Sequence, residues 1–286
     1  MLADATSGYP PAKAGGSWVK AGALRRCQLQ HRRSFFKRQR RIADSSRSML
    51  MSSEVSLAES PARPDASVPL EHVLCPVCDG PDHSPERVIS GWQLVRCGGC
   101  GMVFVNPQPT DEALMAAYNG EGEFAGAVGG HLDKASFYET WFSPRDQQVW
   151  RIRLRQMAKL CGGGRLLEYG CGPALVGQVA AKEGWQVEAI DVGEWIRDLQ
   201  PRRSFPLNVG TIREQHWPDG RYDAIYAQDV FEHLRRPREE AAELARLLRP
   251  GGVLFVHVPN YVALPIRLGV SRFAYNEPPG HLNYFT

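Results

Sequence analysis

The sequence lacks the features by which membrane, secreted and nucleic-acid-binding chains are usually recognised. No run of about 18 apolar residues occurs, so there is no candidate membrane span. The basic stretch near the N-terminus lacks the continuous apolar core of a secretory signal. Residues 71–110 carry only two bases, Arg87 and Arg96, too few to follow a phosphate backbone. We therefore expect no nucleic-acid partner.

The net charge of +3 is unevenly distributed along the 286 residues. Residues 1–48 contain 11 Lys and Arg against two acids, so the remainder holds 23 bases and 29 acids. The overall basic excess therefore gives no evidence that the folded part binds nucleic acid. Residues 1–70 also mix Gly, Pro, Ser and Arg without a lasting hydrophobic period, which predicts a disordered basic leader.

The seven cysteines do not form a disulfide pattern, because their number is odd and four of them form two C-x-x-C pairs. These four are Cys75, Cys78, Cys97 and Cys100, with 18 residues between the pairs. Each pair directs two thiolates to one point, so the set predicts a closed, structural Zn²⁺ site in a zinc ribbon over residues 71–108. A zinc–thiolate site favours a reducing compartment, and we expect the cytoplasm.

The second half of the sequence alternates between strand and helix patterns, and 43% hydrophobic residues suffice for a sizeable core. Such alternation predicts an α/β fold, a Rossmann-like doubly wound sheet over residues 162–286. Residues 109–161, with helices over Asp111–Tyr118 and about 144–160, are expected to form a helical linker or lid. The predicted strands lie near 165–169, 186–191, 206–209, 222–228 and 253–258, and the helices near 174–183, 193–199 and 238–248.

A glycine turn at the end of the first of these strands is the principal candidate site. Glu168, Gly170 and Gly172 form an E-x-G-x-G pattern that lets a nucleotide-like ligand approach the backbone. The third glycine of the dinucleotide fingerprint is missing, since Leu175 takes its place, which disfavours an NAD-dependent oxidoreductase. Asp191 follows Gly172 by 19 residues and either binds ribose hydroxyls or caps the next helix.

Two later segments give the sequence a family resemblance. They are Asp229-Val230-Phe231-Glu232-His233 and Leu248-Arg249-Pro250-Gly251-Gly252. Together with the glycine turn and Asp191, they resemble class I S-adenosylmethionine-dependent methyltransferases. The resemblance implies that Glu168, Gly170 and Gly172 line the methionine part of S-adenosylmethionine and that Asp191 holds its ribose. By the same resemblance, the adenine is bordered by Thr211 and Ile212, and the sulfonium lies near Gln228 and Asp229.

The predicted ribbon, followed by Val105-Asn106-Pro107-Gln108-Pro109, is similar to the N-terminal module of some of these enzymes, including zinc-ribbon sugar C-methyltransferases. This likeness implies a small-molecule acceptor, such as a nucleotide-linked sugar or another glycan or lipid intermediate. In such enzymes a histidine in a His-Leu-x-Tyr-Phe stretch is implicated as the base, which His281 matches. His233 is a second candidate catalytic residue. The Pro278-Pro279 pair before His281 departs from the family pattern.

A second interpretation uses Asp229, Glu232 and His233, which would share one helix face, with His281 as a fourth ligand. This set resembles the divalent-metal site of some RNA 2′-O- and quinone O-methyltransferases, in which Mg²⁺ would lower the pKa of the acceptor hydroxyl. In a third interpretation Glu232 and His233 only cap or pack a turn. A non-catalytic, nucleic-acid-binding zinc-ribbon protein is an alternative of another class.

The strand pattern ends earlier than that of the family it resembles. Five strands are predicted, whereas the family fold has seven, so the Rossmann-like domain is expected to be incomplete at its C-terminal end. An unfinished sheet edge leaves unpaired backbone groups, and we expect this chain alone to be poorly soluble or inactive. A cooperative thermal melt of a monomer stabilised by cofactor would contradict this expectation.

Overall fold

A five-stranded parallel sheet forms the centre of the computed structural model, which describes residues 68–121, 142–262 and 278–286. Its strands span Arg165–Tyr169 (β6), Gln186–Asp191 (β7), Leu207–Val209 (β8), Tyr222–Gln228 (β9) and Leu248–His257 (β10). Their spatial order is β10, β9, β6, β7 and β8. Because β6 pairs with both β7 and β9, the chain reverses its direction of winding there, which confirms the predicted Rossmann-like α/β fold.

Helices cover both faces of this sheet. They are α2 (Pro144–Cys161), α3 (Leu175–Lys182) and α4 (Pro237–Leu247), with a 3₁₀ helix over Glu194–Arg202. Successive residues of β6 point to opposite faces. Leu166 packs in a core cluster with residues of α2 and α3, and Leu167 packs in another with residues of α4. No helix among the described residues is long and apolar enough to cross a membrane.

A separate antiparallel sheet contains the region predicted as a zinc ribbon. Its order is β11-β4-β3-β2, and a two-stranded pair, β1 with β5, lies beside it. The strands are Leu70–Glu71 (β1), His83–Ile89 (β2), Trp92–Cys97 (β3), Val103–Val105 (β4), Gln108–Pro109 (β5) and Asn283–Tyr284 (β11). The last strand therefore joins residues far apart in sequence: Asn283 lies opposite Phe104, and Tyr284 opposite Val103.

The predicted domain boundaries do not coincide with the groups of residues that pack together. Strand β11 lies within the predicted domain 162–286, yet it pairs with β4 of the ribbon sheet. The predicted helical linker 109–161 is also divided between the two cores. Helix α1 (Asp111–Tyr118) buries Leu114 and Ala117 with the ribbon, whereas α2 buries Leu154 and Met157 against the parallel sheet. Periodicity reveals an apolar face but not the surface that covers it. The predicted leader 1–70 lies almost wholly outside the described residues.

Two predicted elements also take a different form. The helix predicted near 193–199 is the 3₁₀ helix, which contains Pro201, a residue unable to donate an α-helical hydrogen bond. The fifth strand was predicted near 253–258 but begins at Leu248. Its register against β9 is irregular between Leu248 and Val253, where the Pro250-Gly251-Gly252 turn interrupts regular pairing.

The packing of α2 predicts unequal costs for two truncations on the same helix. Leu154 is 0% exposed in the core, and Ile152 is 49% exposed. Leu154→Ala should lower the free energy of unfolding by about 2–5 kcal/mol, because it leaves a cavity. Ile152→Ala should lower it by less than about 1 kcal/mol. Equilibrium urea denaturation measures both, and equal losses would contradict the packing of α2 on the sheet.

Candidate active site and cysteine cluster

The glycine turn connects β6 to α3 at the carboxyl edge of the parallel sheet. Gly170 and Gly172 have positive φ angles of 64° and 49°. A Cβ on Gly170 would lie 2.4 Å from Val230 Cγ2, so this glycine allows the turn to pack against the segment after β9. A Cβ on Gly172 would meet no atom of the described residues within 4 Å. Gly172 therefore leaves the backbone open to a ligand, as a nucleotide-like cofactor requires.

Glu168 is a buried carboxylate beneath this turn, 5% exposed. Its Oε2 accepts a hydrogen bond of 2.7 Å from the Gly177 N–H in the first turn of α3. The N-cap of α3, Ala174, has no side-chain acceptor, so Glu168 supplies one. Burial raises the pKa of Glu168 from 4.5 to about 8, although the N–H groups of Gly177 and Val176 oppose the shift. These contacts organise the turn, and a contact with the methionine part of a cofactor stays a prediction.

Asp191 ends β7 and joins it to the glycine turn. Its Oδ2 accepts a hydrogen bond of 2.8 Å from the Gly172 N–H. Its Oδ1 accepts one of 2.9 Å from Gly193, the residue before the 3₁₀ helix. The carboxylate thus fixes the glycine turn and also accepts a hydrogen bond from the residue that precedes the 3₁₀ helix. The predicted ribose contact stays a prediction.

Thr211 and Ile212, the residues predicted to border the adenine, follow β8. Ile212 is 1% exposed and packs in the same core cluster as Leu167 and Ile190. Thr211 Oγ1 accepts a hydrogen bond of 3.3 Å from the Glu214 N–H. The structure therefore assigns both side chains local structural contacts, and adenine binding stays a prediction.

Gln228, the last residue of β9, is fixed by donors that converge on its side-chain oxygen. Trp150 Nε1 and Arg153 Nη1, both from α2, donate to Oε1 over 3.2 and 2.9 Å, and the Tyr226 hydroxyl donates over 2.9 Å. Gln228 Nε2 in turn donates to Asp229 Oδ2 over 3.1 Å. The predicted lid helix therefore contributes directly to this edge of the sheet.

Three side chains that could hold a metal ion converge beyond the end of β9. The ligand atoms of Glu232, His233 and His281 all lie within 4.8 Å of one another. Ligands about 2.1 Å from one ion stand up to about 4.2 Å apart, so small side-chain movements would close the set. His281 reaches this place because the Leu282 N–H donates to the Glu232 carbonyl over 2.7 Å. The two predicted catalytic histidines, with ring centroids 4.8 Å apart, are thus neighbours.

The protonation states in this cluster are set by burial. Glu232 is 1% exposed, and within the described residues neither carboxylate oxygen has a hydrogen-bond partner. Burial and the nearby charge of Asp229 raise the pKa of Glu232 to about 8. Burial and the neighbouring His233 lower the pKa of His281 to about 3, and burial also lowers the pKa of His233. At neutral pH both imidazoles are neutral, the form that binds metals.

His233 is held in one tautomer by the backbone. Its Nδ1 lies 2.5 Å from the Gly280 carbonyl, which can only accept, so Nδ1 carries the proton. Its Nε2 lies 3.9 Å from Glu232 Oε1. Metal-binding histidines typically donate their second ring N–H in this way. The unpartnered carboxylate and two neutral imidazoles therefore form a donor set that fits a divalent cation.

Asp229, one of the four residues predicted to share a metal ion, does not join this cluster. The prediction of a shared face required a helix from residue 229, but the chain forms only a short 3₁₀ turn over Phe231–His233. Asp229 has a positive φ of 55°. Its Oδ1 instead lies 3.0 Å from His257 Nδ1 at the end of β10. The cluster therefore contains three of the four residues in the predicted metal-binding set.

His257 belongs to no motif that the sequence patterns single out. The predicted fifth strand, near 253–258, contains it, and the end of that strand lies beside the end of the predicted strand 222–228. Comparing the ends of these neighbouring strands would have paired His257 with Gln228 and Asp229. The structure aligns His257 with Gln228 across β10 and β9.

The four predicted zinc ligands lie together at the ribbon. The sulfur atoms of Cys75, Cys78, Cys97 and Cys100 all lie within 4.8 Å of one another. Cys75 and Cys100 Sγ are 3.5 Å apart, and Cys78 and Cys97 Sγ are 3.6 Å apart. Sulfurs about 2.3 Å from a tetrahedral zinc ion stand about 3.8 Å apart. The cluster has the geometry of a four-thiolate zinc site.

A methyltransferase family matches this chain over most of the parallel-sheet region. The sequence profile of the family described as "Methyltransferase domain" matches residues 142–286, just over half of the chain. The chain belongs to this methyltransferase family. The match begins two residues before α2, so the family domain includes the helix that holds Gln228.

Named relatives of this methyltransferase use S-adenosylmethionine or methylate oxygen. It is 32% identical over 162 residues to a ubiquinone biosynthesis O-methyltransferase of Xylella fastidiosa strain M23, covering 50% of this chain and 65% of that protein. It is 31% identical over 126 residues to a probable S-adenosylmethionine-dependent methyltransferase of Mycolicibacterium smegmatis, covering 43% and 46%. The chain thus spans less than two thirds of either relative. The family match itself shows a methyltransferase domain.

The methyltransferase also resembles solved structures at low similarity. One is a SAM-dependent methyltransferase from Archaeoglobus fulgidus, with a TM-score of 0.37 and 20% identity, covering 46% of this chain and 62% of that one.

The buried Glu168 predicts a pH-dependent stability. The folded chain keeps a proton on Glu168 up to a pKa of about 8, whereas its ordinary pKa is 4.5. The free energy of unfolding should therefore fall as the pH rises from about 5 to about 8, and Glu232 contributes in the same direction. Glu168→Gln keeps an oxygen acceptor for Gly177 and should reduce this slope by up to about 1.4 kcal/mol per pH unit.

Urea denaturation between pH 5 and 8 measures the slope. Glu183→Gln is the matched control, because hydrogen bonds from Arg155 and Arg151 lower the pKa of Glu183, which therefore titrates below this range. A slope that Glu168→Gln leaves unchanged would show that Glu168 is ionised in the folded chain.

Proposed function

We propose that this protein transfers the methyl group of S-adenosylmethionine to a hydroxyl oxygen of a small molecule, with a divalent cation held by Glu232, His233 and His281. One observation carries this proposal: the buried carboxyl of Glu232, which has no hydrogen-bond partner among the described residues, lies with two neutral imidazoles two residues after Val230, which packs against Gly170 of the glycine turn. An isolated buried carboxylate is costly, and a cation would offset that cost. A cation in this place also supplies chemistry to an acceptor hydroxyl.

The acceptor class follows from the chemistry of such a site and from the relatives. Methyl transfer to oxygen requires loss of the hydroxyl proton, and a bound divalent cation lowers the pKa of a hydroxyl that contacts it. Several relatives are named ubiquinone biosynthesis O-methyltransferases. We therefore propose an aromatic hydroxyl, as in a catechol, as the acceptor group.

The ligands indicate which ion the site would prefer. Imidazole nitrogens suit transition metals such as Zn²⁺, whereas Mg²⁺ prefers oxygen ligands and Mn²⁺ accepts both. Two of the three ligands here are histidines, so Mn²⁺ or Zn²⁺ fits better than the Mg²⁺ expected from the sequence.

A sugar acceptor with His281 as general base is the competing proposal. Its support is the likeness of the His281 stretch to zinc-ribbon sugar C-methyltransferases. However, burial and His233 lower the pKa of His281 to about 3, and a base works best when its pKa lies near the operating pH. The same neutral imidazole suits metal binding, which favours the hydroxyl acceptor.

The described residues account for the remaining requirements of an in-line displacement. Gly172 leaves the turn open to the cofactor, and Asp191 and Glu168 fix that turn from the side and from below. Hydrogen bonds from Trp150 and Arg153 fix the side chain of Gln228 at the end of β9. Holding the methyl donor and the acceptor in a reactive orientation can supply much of the rate enhancement of a methyl transfer.

The cation proposal predicts distinct metal affinities for two carboxylate variants. After treatment with EDTA, the chain should bind Mn²⁺, measured by calorimetric titration. Glu232→Gln removes the carboxylate ligand and should weaken Mn²⁺ binding about tenfold or more. Glu183→Gln should leave the affinity unchanged, because Glu183 lies outside the set of three ligands and pairs with Arg151 and Arg155. Equal affinities in wild type and Glu232→Gln would contradict the site.

The acceptor proposal is tested by the release of S-adenosylhomocysteine. Wild type should methylate catechol and should require added Mn²⁺ or Zn²⁺ after EDTA treatment, whereas a nucleotide-linked sugar should give no turnover. Turnover of the sugar without added metal would instead support the competing proposal.

We also propose that the four-cysteine cluster binds one structural Zn²⁺. Gly80 and Gly99 support this, because a Cβ on either would lie within 3.3–3.8 Å of cluster sulfurs. Four thiolates leave no open position, so this ion would act on folding rather than on the reaction.

If the four cysteines bind a structural zinc ion, the chain should retain zinc after mild treatment with a chelator. After mild EDTA treatment, elemental analysis should find about one zinc per chain. Cys97→Ser should lose it and lower the melting temperature. Cys161→Ser is the control, because Cys161 is a free thiol outside the cluster. Full retention of zinc in Cys97→Ser would contradict the assignment.

A further inference from the structure

A histidine–carboxylate pair lies beside the metal-ligand cluster and has no part in it. His257 and Asp229 stand at the ends of the neighbouring strands β10 and β9, with Nδ1 and Oδ1 3.0 Å apart. Each side chain is 42% exposed. The pair is therefore accessible from the carboxyl edge of the sheet, unlike the buried His281.

The hydrogen bond determines the tautomer of His257. Burial is the largest single effect and raises the pKa of Asp229, but hydrogen bonds from His257 and Gln228 and attraction to His257 and His233 together keep this pKa below its ordinary value of 3.8. An ionised carboxylate only accepts hydrogen bonds, so Nδ1 of His257 carries the proton. In the neutral form of this imidazole Nε2 holds a lone pair, and within the described residues no partner occupies it. A carboxylate orients the base of a serine-protease triad in the same way.

Asp229 is held rigidly in its place. Its backbone N–H donates to the His257 carbonyl over 2.9 Å. Its Oδ2 accepts from Gln228 Nε2, whose own amide oxygen is fixed by Trp150, Arg153 and Tyr226. A positive φ of 55° at a non-glycine residue is an uncommon conformation that often marks functional sites.

The pair is adjacent to both parts of the proposed active site. Val230, the next residue after Asp229, lies against Gly170 of the glycine turn. The charge of Asp229 also acts on Glu232, His233 and His281, the three proposed cation ligands. An acceptor hydroxyl between the cofactor and the cation would thus lie near His257.

We propose that His257 is the general base of the methyl transfer, with Asp229 as its positioning residue. The inference rests on the proposed hydroxyl acceptor. His257 Nε2 takes the hydroxyl proton while the oxygen forms its bond to the methyl carbon. The sulfur–methyl bond breaks, and its electron pair stays on sulfur as a neutral thioether. The imidazolium then releases the proton to solvent through its exposed edge. His257 thereby performs the role that the sequence assigned to His281.

The kinetic test uses the full chain with S-adenosylmethionine, Mn²⁺ and catechol. His257→Ala should lower kcat by about 100-fold or more, the usual contribution of a positioned base. Its affinity for S-adenosylmethionine, measured by calorimetry, should stay within about twofold of wild type, and added imidazole should restore part of the rate. His72→Ala, at an exposed histidine of the ribbon region, is the matched control. A kcat within about threefold of wild type in His257→Ala would overturn the proposal.

A second measurement separates this proposal from the proposed function. Nitrogen NMR of the chain labelled with ¹⁵N-histidine should show His257 protonated at Nδ1 and unprotonated at Nε2, assigned by its loss in His257→Ala. Asp229→Asn should shift this tautomer. If the wild type fails to methylate catechol, the hydroxyl-acceptor proposal is contradicted. The tautomer of His257 then tests separately whether Asp229 orients His257. A proton on Nε2 of neutral His257 would overturn this role of Asp229.

Discussion

The short pairing between β4 and β11 brings together the side chains of the proposed cation site. Beside it, the Val105 N–H donates to the Leu282 carbonyl over 2.9 Å, and the Leu282 N–H donates to the Glu232 carbonyl over 2.7 Å. Asn283 adds a side-chain bond of 3.1 Å to the Phe231 carbonyl. These bonds place His281 against Glu232 and His233. The ribbon sheet therefore positions one of the three proposed ligands, and the proposed zinc ion would affect the proposed reaction only by stabilising this sheet.

Most of the parallel sheet could be predicted from sequence because its signals are local. Runs of apolar residues predict β6, β7 and β9, and the glycine turn indicates the edge at which sheets of this kind bind their ligands. The position of β11 could not be predicted in this way. A two-residue strand has no periodicity, and it pairs with residues almost 180 positions earlier in the chain. For the same reason, the helices in 109–161 were recognised while the cores that they join were not.

The candidate site shows the same division between local and distant information. The adjacent pair Glu232 and His233 drew attention as possible ligands, and the histidine stretch suggested His281. Asp229 lies outside the cluster of possible metal ligands because a short 3₁₀ turn forms where the sequence pattern predicts a helix. His257 was missed because its partner lies on another strand. Burial leaves the Glu232 carboxyl without a partner among the described residues and keeps the imidazoles neutral. It depends on contacts from several distant segments, so no single stretch of sequence predicts it.

Glu232, His233 and His281 are proposed to form one cation site beside the cofactor. Anomalous X-ray diffraction at the manganese edge, from crystals grown with Mn²⁺ and S-adenosylhomocysteine, locates such an ion. We expect a single strong peak bonded to the Glu232 carboxylate and to both imidazoles, with Asp229 still paired to His257. A Glu232 carboxylate satisfied by water or by a protein donor, with no manganese peak between the histidines, would contradict it.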